Sequence, residues 1–135
     1  ADYLLTSNST GTSDTCVTTC EVVAGSKPTT YVDVTTGSVS ALVSAVYQQP
    51  VSVFIQANQR DIKQYSSGVF TGVCGQRLDH GVLAVGYGSD VDSGIDYWNI
   101  KNSWGTAWGE NGYIRIEKSD TDRCGVLDSP SYPTL

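Results

Sequence analysis

His80 is the sole histidine in the sequence, and imidazole is the one side chain whose ordinary pKa lies near neutrality. Proton transfer at neutral pH therefore has a single natural candidate. A solitary histidine on an apolar strand is commonly a satisfied core residue, so its neighbourhood has to decide. It sits in Leu78-Asp79-His80-Gly81-Val82-Leu83-Ala84-Val85-Gly86-Tyr87-Gly88. After a polar loop at Ser89–Asp96 comes Tyr97-Trp98-Asn99-Ile100-Lys101-Asn102-Ser103-Trp104, then Gly105-Thr106-Ala107-Trp108-Gly109-Glu110-Asn111-Gly112-Tyr113. If the two runs are strands paired antiparallel through that loop, His80 and Asn102 reach the same end. The Asn102 carbonyl can then accept from one ring nitrogen and leave the other to serve a nucleophile. Trp104 is placed to cover that bond and keep water from competing for it. This is a general base with its orienting group, and it lacks a nucleophile.

The other candidates are weaker. Cys16, Cys20, Cys74 and Cys124 make an even count, which suits disulfides in an oxidising compartment. Cys16-x3-Cys20 has loosely zinc-like spacing, but there is one histidine and the remaining cysteines are far away in sequence, so disulfides are favoured. Asn8-Ser9-Thr10 is an N-glycosylation sequon, which agrees with a secretory route. Asp90-Val91-Asp92-Ser93-Gly94-Ile95-Asp96 fails the calcium-loop template, because position 5 is Gly94 and Lys101 stands where the bidentate Glu belongs. A solvated hairpin tip is the better reading. No phosphate-binding glycine loop is present, and neither metal nor cofactor is expected.

The elements that must hold these residues follow from periodicity. Val39, Leu42, Val43, Val46 and Tyr47 fall on a helical stripe, with Ser38 as its cap and Pro50 as its stop. Val51–Ala57 reads as a strand, followed by a polar turn or short helix near Asn58–Tyr65. Further strands are expected at His80–Tyr87, Tyr97–Asn102 and Gly112–Glu117, where Ile114 and Ile116 share one face. Residues 1–37 read as an irregular lead-in with one short strand at Tyr31–Val34, and residues 38–135 as the folded remainder. The expected fold is α+β: an antiparallel, barrel-like sheet with one main helix packed on it.

Composition bounds the rest. A chain of 135 residues fits one domain, and 39% hydrophobic content argues for a packed core. Eight basic against fourteen acidic residues give a net charge of −6, with no Lys/Arg cluster. Binding to nucleic acid or to an anionic membrane is not expected. No apolar run approaches the ~20 residues of a membrane span, and no signal peptide opens the chain. The sequence contains no Met and starts at Ala1, so a processed piece of a longer precursor or a truncated chain is expected.

At these residues the chain resembles the papain-like cysteine proteases. The run Lys101-Asn102-Ser103-Trp104-Gly105-x-x-Trp108-Gly109-Glu110-Asn111-Gly112-Tyr113 is similar to the family's Asn signature, and Asp79-His80-Gly81-Val82 to its His signature. Gln49-Pro50-Val51-Ser52-Val53 and Ser131-Tyr132-Pro133 align in type and order. The resemblance covers about residues 38–135 well and 1–37 loosely. It implies a bridge between Cys74 and Cys124, which would be worth roughly 4 kcal/mol in the chain-entropy model. It also implies catalytic roles for His80 and Asn102, support from Trp104 and Trp108, and an S2 pocket formed by Phe54, Leu78, Gly81 and Ser129.

The departures matter as much. The family's Cys-Gly-Ser-Cys-Trp run is absent, as is its upstream oxyanion-hole Gln. Cys16 and Cys20 lie in Thr15-Cys16-Val17-Thr18-Thr19-Cys20-Glu21, where neither is followed by Trp or opens an apolar helix. One or both are expected to bridge to the helical half of the enzyme, or else to pair with each other. The resemblance therefore implies the β-rich right-hand half of a cysteine endopeptidase, with the Cys-bearing helical half missing. Expected partners are that half, a peptide or protein substrate, and a protein inhibitor as another occupant of the cleft. The expected location is secreted or lysosomal/vacuolar. The competing readings are a non-catalytic binding or scaffold module of papain-like ancestry and a storage or coat protein of enzymatic origin.

Overall fold

The structure is a computed structural model that describes Thr12, Thr15, Thr19 and residues 23–135. Asn8, Cys16 and Cys20 lie outside the described residues. Among the described residues are seven strands: β1 (Thr30–Asp33), β2 (Val51–Ile55), β3 (Val69–Phe70), β4 (His80–Ser89), β5 (Asp96–Lys101), β6 (Tyr113–Glu117) and β7 (Ser131–Thr134). Two α-helices, α1 (Val39–Gln48) and α2 (Arg60–Lys63), and a 3₁₀ turn at Arg123–Gly125 complete the list. The strands form one sheet in the order β1-β7-β2-β4-β5-β6-β3.

The helix starts and stops where the sequence says it should. The Ser38 hydroxyl accepts from the Ala41 amide at 3.2 Å, and Gln49 is already extended ahead of Pro50. Its buried face is centred on Leu42, Ala45 and Val46. Tyr47, which the stripe would have buried, is 83% exposed. The face has turned toward the small Ala45, which lets the helix lie close beside β4. Full burial of Leu42 contributes ~1.5–3 kcal/mol.

The sheet departs from expectation in one pairing. Every ladder is antiparallel except β3 on β6, where Val69 pairs with Arg115 and Phe70 with Ile116 in parallel. A parallel pair needs a long crossover, and the whole of β4 and β5 lies between these two segments in sequence. Such a pairing leaves no local sequence signal. The Cys74–Cys124 disulfide is present, with Cα atoms 5.0 Å apart, and it ties the loop after β3 to the 3₁₀ turn. Among the described residues, no helix is long and apolar enough to cross a membrane.

The core is the inward face of the central strands. Val51, Val53 and Ile55 on β2 lie opposite Ala84, Val82 and His80 on β4. Trp98 and Ile100 on β5 and Ile114 and Ile116 on β6 continue the same layer, each at most 1% exposed. Alternation then places the chemistry: His80 extends the inward row Val82–Ala84, and Asn102 extends the row Trp98–Ile100. Both polar side chains stand where the apolar layer runs out.

Candidate active site

The β4–β5 hairpin closes through a turn at Asp90–Ile95 and keeps its register down to Leu83 opposite Lys101, with one bulge between Ala84 and Gly86. This delivers His80 and Asn102 to one end. His80 Nε2 lies 2.8 Å from Asn102 Oδ1. The same oxygen accepts the Ser103 backbone N–H at 2.7 Å. A backbone N–H can only donate, so it fixes which end of the Asn102 amide faces inward, and the side chain cannot be flipped without losing that bond. The oxygen that faces His80 can only accept. Nε2 is therefore the protonated nitrogen, and Nδ1 remains uncommitted to Asn102. Asn102 Nδ2 is buried and has no hydrogen-bond partner among the described residues. That leaves the amide held through its oxygen alone.

Trp104 lies almost parallel to the imidazole, with ring centroids 5.2 Å apart and planes 23° apart. Trp108 meets Trp104 edge-on at 4.9 Å and 77°. The Trp108 indole N–H donates to the Lys63 carbonyl at 3.2 Å, and Tyr65 packs against its ring at 5.7 Å. Trp104 is 38% exposed, so this aromatic cover is also open surface. Chain reversal after Asn102 depends on glycine. A Cβ on Gly109 (φ 57°) would sit 2.5 Å from the Tyr113 carbonyl, and Gly112 (φ 91°) donates its N–H to the Trp108 carbonyl at 2.7 Å. The Asn102 N–H returns to the Gly112 carbonyl at 2.9 Å, which closes the loop onto the end of β5.

The four residues expected to line a specificity pocket are distributed unevenly. Phe54 and Gly81 face each other across the β2–β4 ladder, and a Cβ on Gly81 would be in ordinary contact with the Phe54 ring. Phe54 is exposed. Leu78 lies against Gly125, and Ser129 is exposed just ahead of β7. An open hollow beside Asn102 is lined by Ser52, Gly81, Leu83 and Lys101. Asp79, next to His80, does not face the imidazole: its carboxylate accepts the Ala57 N–H at 2.7 Å and anchors the start of β4.

A charged cluster behind the aromatic loop was not evident in the sequence. Arg115 donates to both oxygens of Glu110, at 2.8 and 2.9 Å, and to Asp90 at 2.6 Å. Glu110 also accepts the Gly68 N–H at 2.9 Å. Hydrogen bonds from Arg115 hold the Glu110 carboxyl below the usual carboxylate range. Asp90 is held down to about 2 by the hydroxyl and N–H of Ser93, with Arg115 adding to the effect. Its hydrogen bonds to Ser93 thus shape the hairpin tip. The one available sequence signal was Arg115 on the outward row of β6, a position that needs acidic partners once half-buried.

The similarities agree with this geometry. Residues 2–134 match the family described as papain family cysteine protease. Cysteine protease 1 of Oryza sativa subsp. japonica is 56% identical over 96 residues, which is 69% of this chain and 20% of that protein. Vignain of Ricinus communis is 48% identical over 122 residues, 85% of this chain and 34% of that protein. The bromelain protease of Ananas comosus, solved in complex with the E64 inhibitor, superposes with a TM-score of 0.78 at 43% identity. That match covers 84% of this chain and 54% of the bromelain chain. The chain thus spans between a fifth and a third of the length of these two curated relatives. With its β-sheet, its His80–Asn102 pair and its aromatic loop accounted for, the chain belongs to the papain family of cysteine proteases.

Proposed function

We propose that this chain is the His/Asn-bearing part of a papain-like cysteine endopeptidase, catalytic only with a Cys-bearing helical half. Residues 38–135 make up the β-rich half, with β1 (Thr30–Asp33) of the lead-in added at the edge of its sheet. His80 shares a proton with the thiol supplied by that half, giving a thiolate–imidazolium pair. The thiolate attacks the peptide carbonyl carbon, and His80 then donates its proton to the departing amine as the C–N bond breaks. A water molecule, deprotonated by His80, attacks the resulting thioester and releases the acid and the thiol. Asn102 holds Nε2–H, so that Nδ1 faces the sulfur. Trp104 shields that bond, and Trp108 lines the leaving-group side.

The observation that carries this reading is the Asn102 oxygen gripped by both the Ser103 N–H and His80, which fixes the ring tautomer without any charged partner. Phe54, Leu78, Gly81 and Ser129 form the S2 wall and favour an apolar P2 residue. Secretion or a lytic compartment fits the Cys74–Cys124 bridge.

The test is peptide hydrolysis by this chain alone and after the Cys-bearing half is restored. Activity is expected only in the second case, lost on His80→Ala, and higher on P2 Leu or Phe than on P2 Arg. Hydrolysis by the isolated chain, or labelling of it at Cys16 or Cys20 by a substrate-like thiol-directed inhibitor, overturns the proposed division of labour. A preference for P2 Arg overturns the pocket assignment.

A further inference from the structure

We infer that Arg115 is a positioning residue for the His80 ring, acting through Glu110 and the Trp108–Trp104 pair. The inference deepens the reading above and rests on His80 being the group that moves the proton. Arg115 stands on β6, on the face away from the core, and its guanidinium forks onto both Glu110 oxygens. Glu110 is two residues beyond Trp108 on the same glycine-hinged loop. Its carboxylate holds the Gly68 N–H, and the Gly68 carbonyl accepts from the Tyr65 hydroxyl at 2.6 Å. The Tyr65 ring packs on Trp108, while the Arg115 backbone N–H donates to the Tyr65 hydroxyl at 3.4 Å. Arg115 thus holds the loop at Glu110 and the ring that backs it at Tyr65. Trp104, half-exposed, finds its aromatic contacts in Trp108 and His80. Its tilt over the imidazole is inherited from Trp108, and the tilt of Trp108 from this fork.

An arginine suits the task because its planar fork matches both carboxylate oxygens while a third nitrogen reaches Asp90, so the loop and the hairpin turn share one rigid anchor. A lysine would supply charge without the fork.

The experiment is NMR of the 135-residue chain carrying Arg115→Gln, Arg115→Lys or Glu110→Gln. Arg115→Gln is expected to move the His80 ring-proton resonances toward those of an unstacked imidazole and to speed exchange of the Trp108 indole N–H at least ~10-fold. Methyl resonances of Ile100 and Ile116 should stay in place. Arg115→Lys should recover part of the shift, and Glu110→Gln, which keeps an acceptor oxygen, should give a smaller one in the same direction. The same Arg115→Gln change in the complete enzyme should lower kcat about tenfold with KM little changed. Unaltered His80 and Trp108 signals in the folded variants overturn the inference. Should Arg115→Gln fail to fold, Glu110→Gln decides by the same signals. If the His80 signals respond but restoring the Cys-bearing half yields no hydrolysis, positioning stands and the protease reading falls.

Discussion

The two ends of the β4–β5 hairpin are made from the same pair of strands and finished in opposite ways. At the turn, charged groups find multiple partners: Asp90 binds Ser93 and Arg115, and Asp96 accepts from Ser89 and pairs with Lys118 at 3.3 Å. Lys118 in turn lies over the rings of Tyr87 and Trp98. At the open end, His80 and Asn102 share one hydrogen bond with no carboxylate in it, Asn102 Nδ2 has no partner among the described residues, and the covering Trp104 is partly in solvent. A turn with saturated partners fixes the register. An end left less saturated leaves Nδ1 of the ring uncommitted to Asn102, and its order comes from the strands beneath it.

The strongest way to break the contrast is to damage the layer both ends stand on. Trp98 is 1% exposed and lies in the inward layer between β4 and β6. Trp98→Ala should cost about 4 kcal/mol by loss of transfer energy plus the cavity left behind. Urea unfolding followed by far-UV circular dichroism checks this, and both ends should loosen together. A cost below ~1 kcal/mol would mean that the ends are held separately.

Next comes a change confined to the open end. Asn102→Ala removes a hydrogen bond that orients the ring which carries charge in the proposed reaction, worth roughly 1.5–3 kcal/mol. In the complete enzyme that corresponds to a roughly 10–150-fold fall in kcat. Stability should move by less than ~1 kcal/mol, because Asn102 is only half-buried and Ser103 is exposed, so water can take up the hydrogen bonds that Oδ1 gives up. Equal losses in activity and stability would place Asn102 with the structural end of the hairpin instead.

How much of this could be read in advance follows the same division. The helix, β2 and the β4–β5–β6 meander were legible because period-2 and period-3.6 patterns are local, and Ser38 and Pro50 mark a boundary chemically. The juxtaposition of His80 and Asn102 was legible because one hairpin brings them together. β3 has only two residues and pairs in parallel with a strand far along the chain, so no window of sequence contains its reason. β7, Ser131–Thr134, includes Pro133, and its pairing with β1 and β2 is likewise non-local. Tyr47 satisfied the helical stripe but is exposed, since periodicity gives a face and not its rotation. The Arg115–Glu110–Asp90 cluster depends on positive-φ turns at Gly105, Gly109, Asn111 and Gly112, which route the loop back beside β6.

The smallest effect separates a paired carboxylate from a buried one. Asp90 has a folded-state pKa depressed to about 2, so its contribution to stability is present above the ordinary carboxylate range. That contribution is lost as pH falls from near 4 toward 2. Asp122 has the opposite sign. Burial raises its pKa, although its carboxylate accepts the Leu127 N–H at 2.7 Å. Its contribution is largest where the carboxyl is protonated in both states, and it declines as pH rises through the folded value. Asp90→Asn should therefore lower the melting temperature at pH 7 and leave it nearly unchanged near pH 2. Asp122→Asn keeps an oxygen for the Leu127 N–H and removes the buried charge, so it should raise stability at pH 7 by roughly a few tenths of a kcal/mol and do nothing near pH 3. Thermal melts of both variants across pH 2–7 give the two slopes, and slopes of the same sign would mean either that Ser93 and Arg115 do not hold the Asp90 carboxyl down or that burial does not govern Asp122.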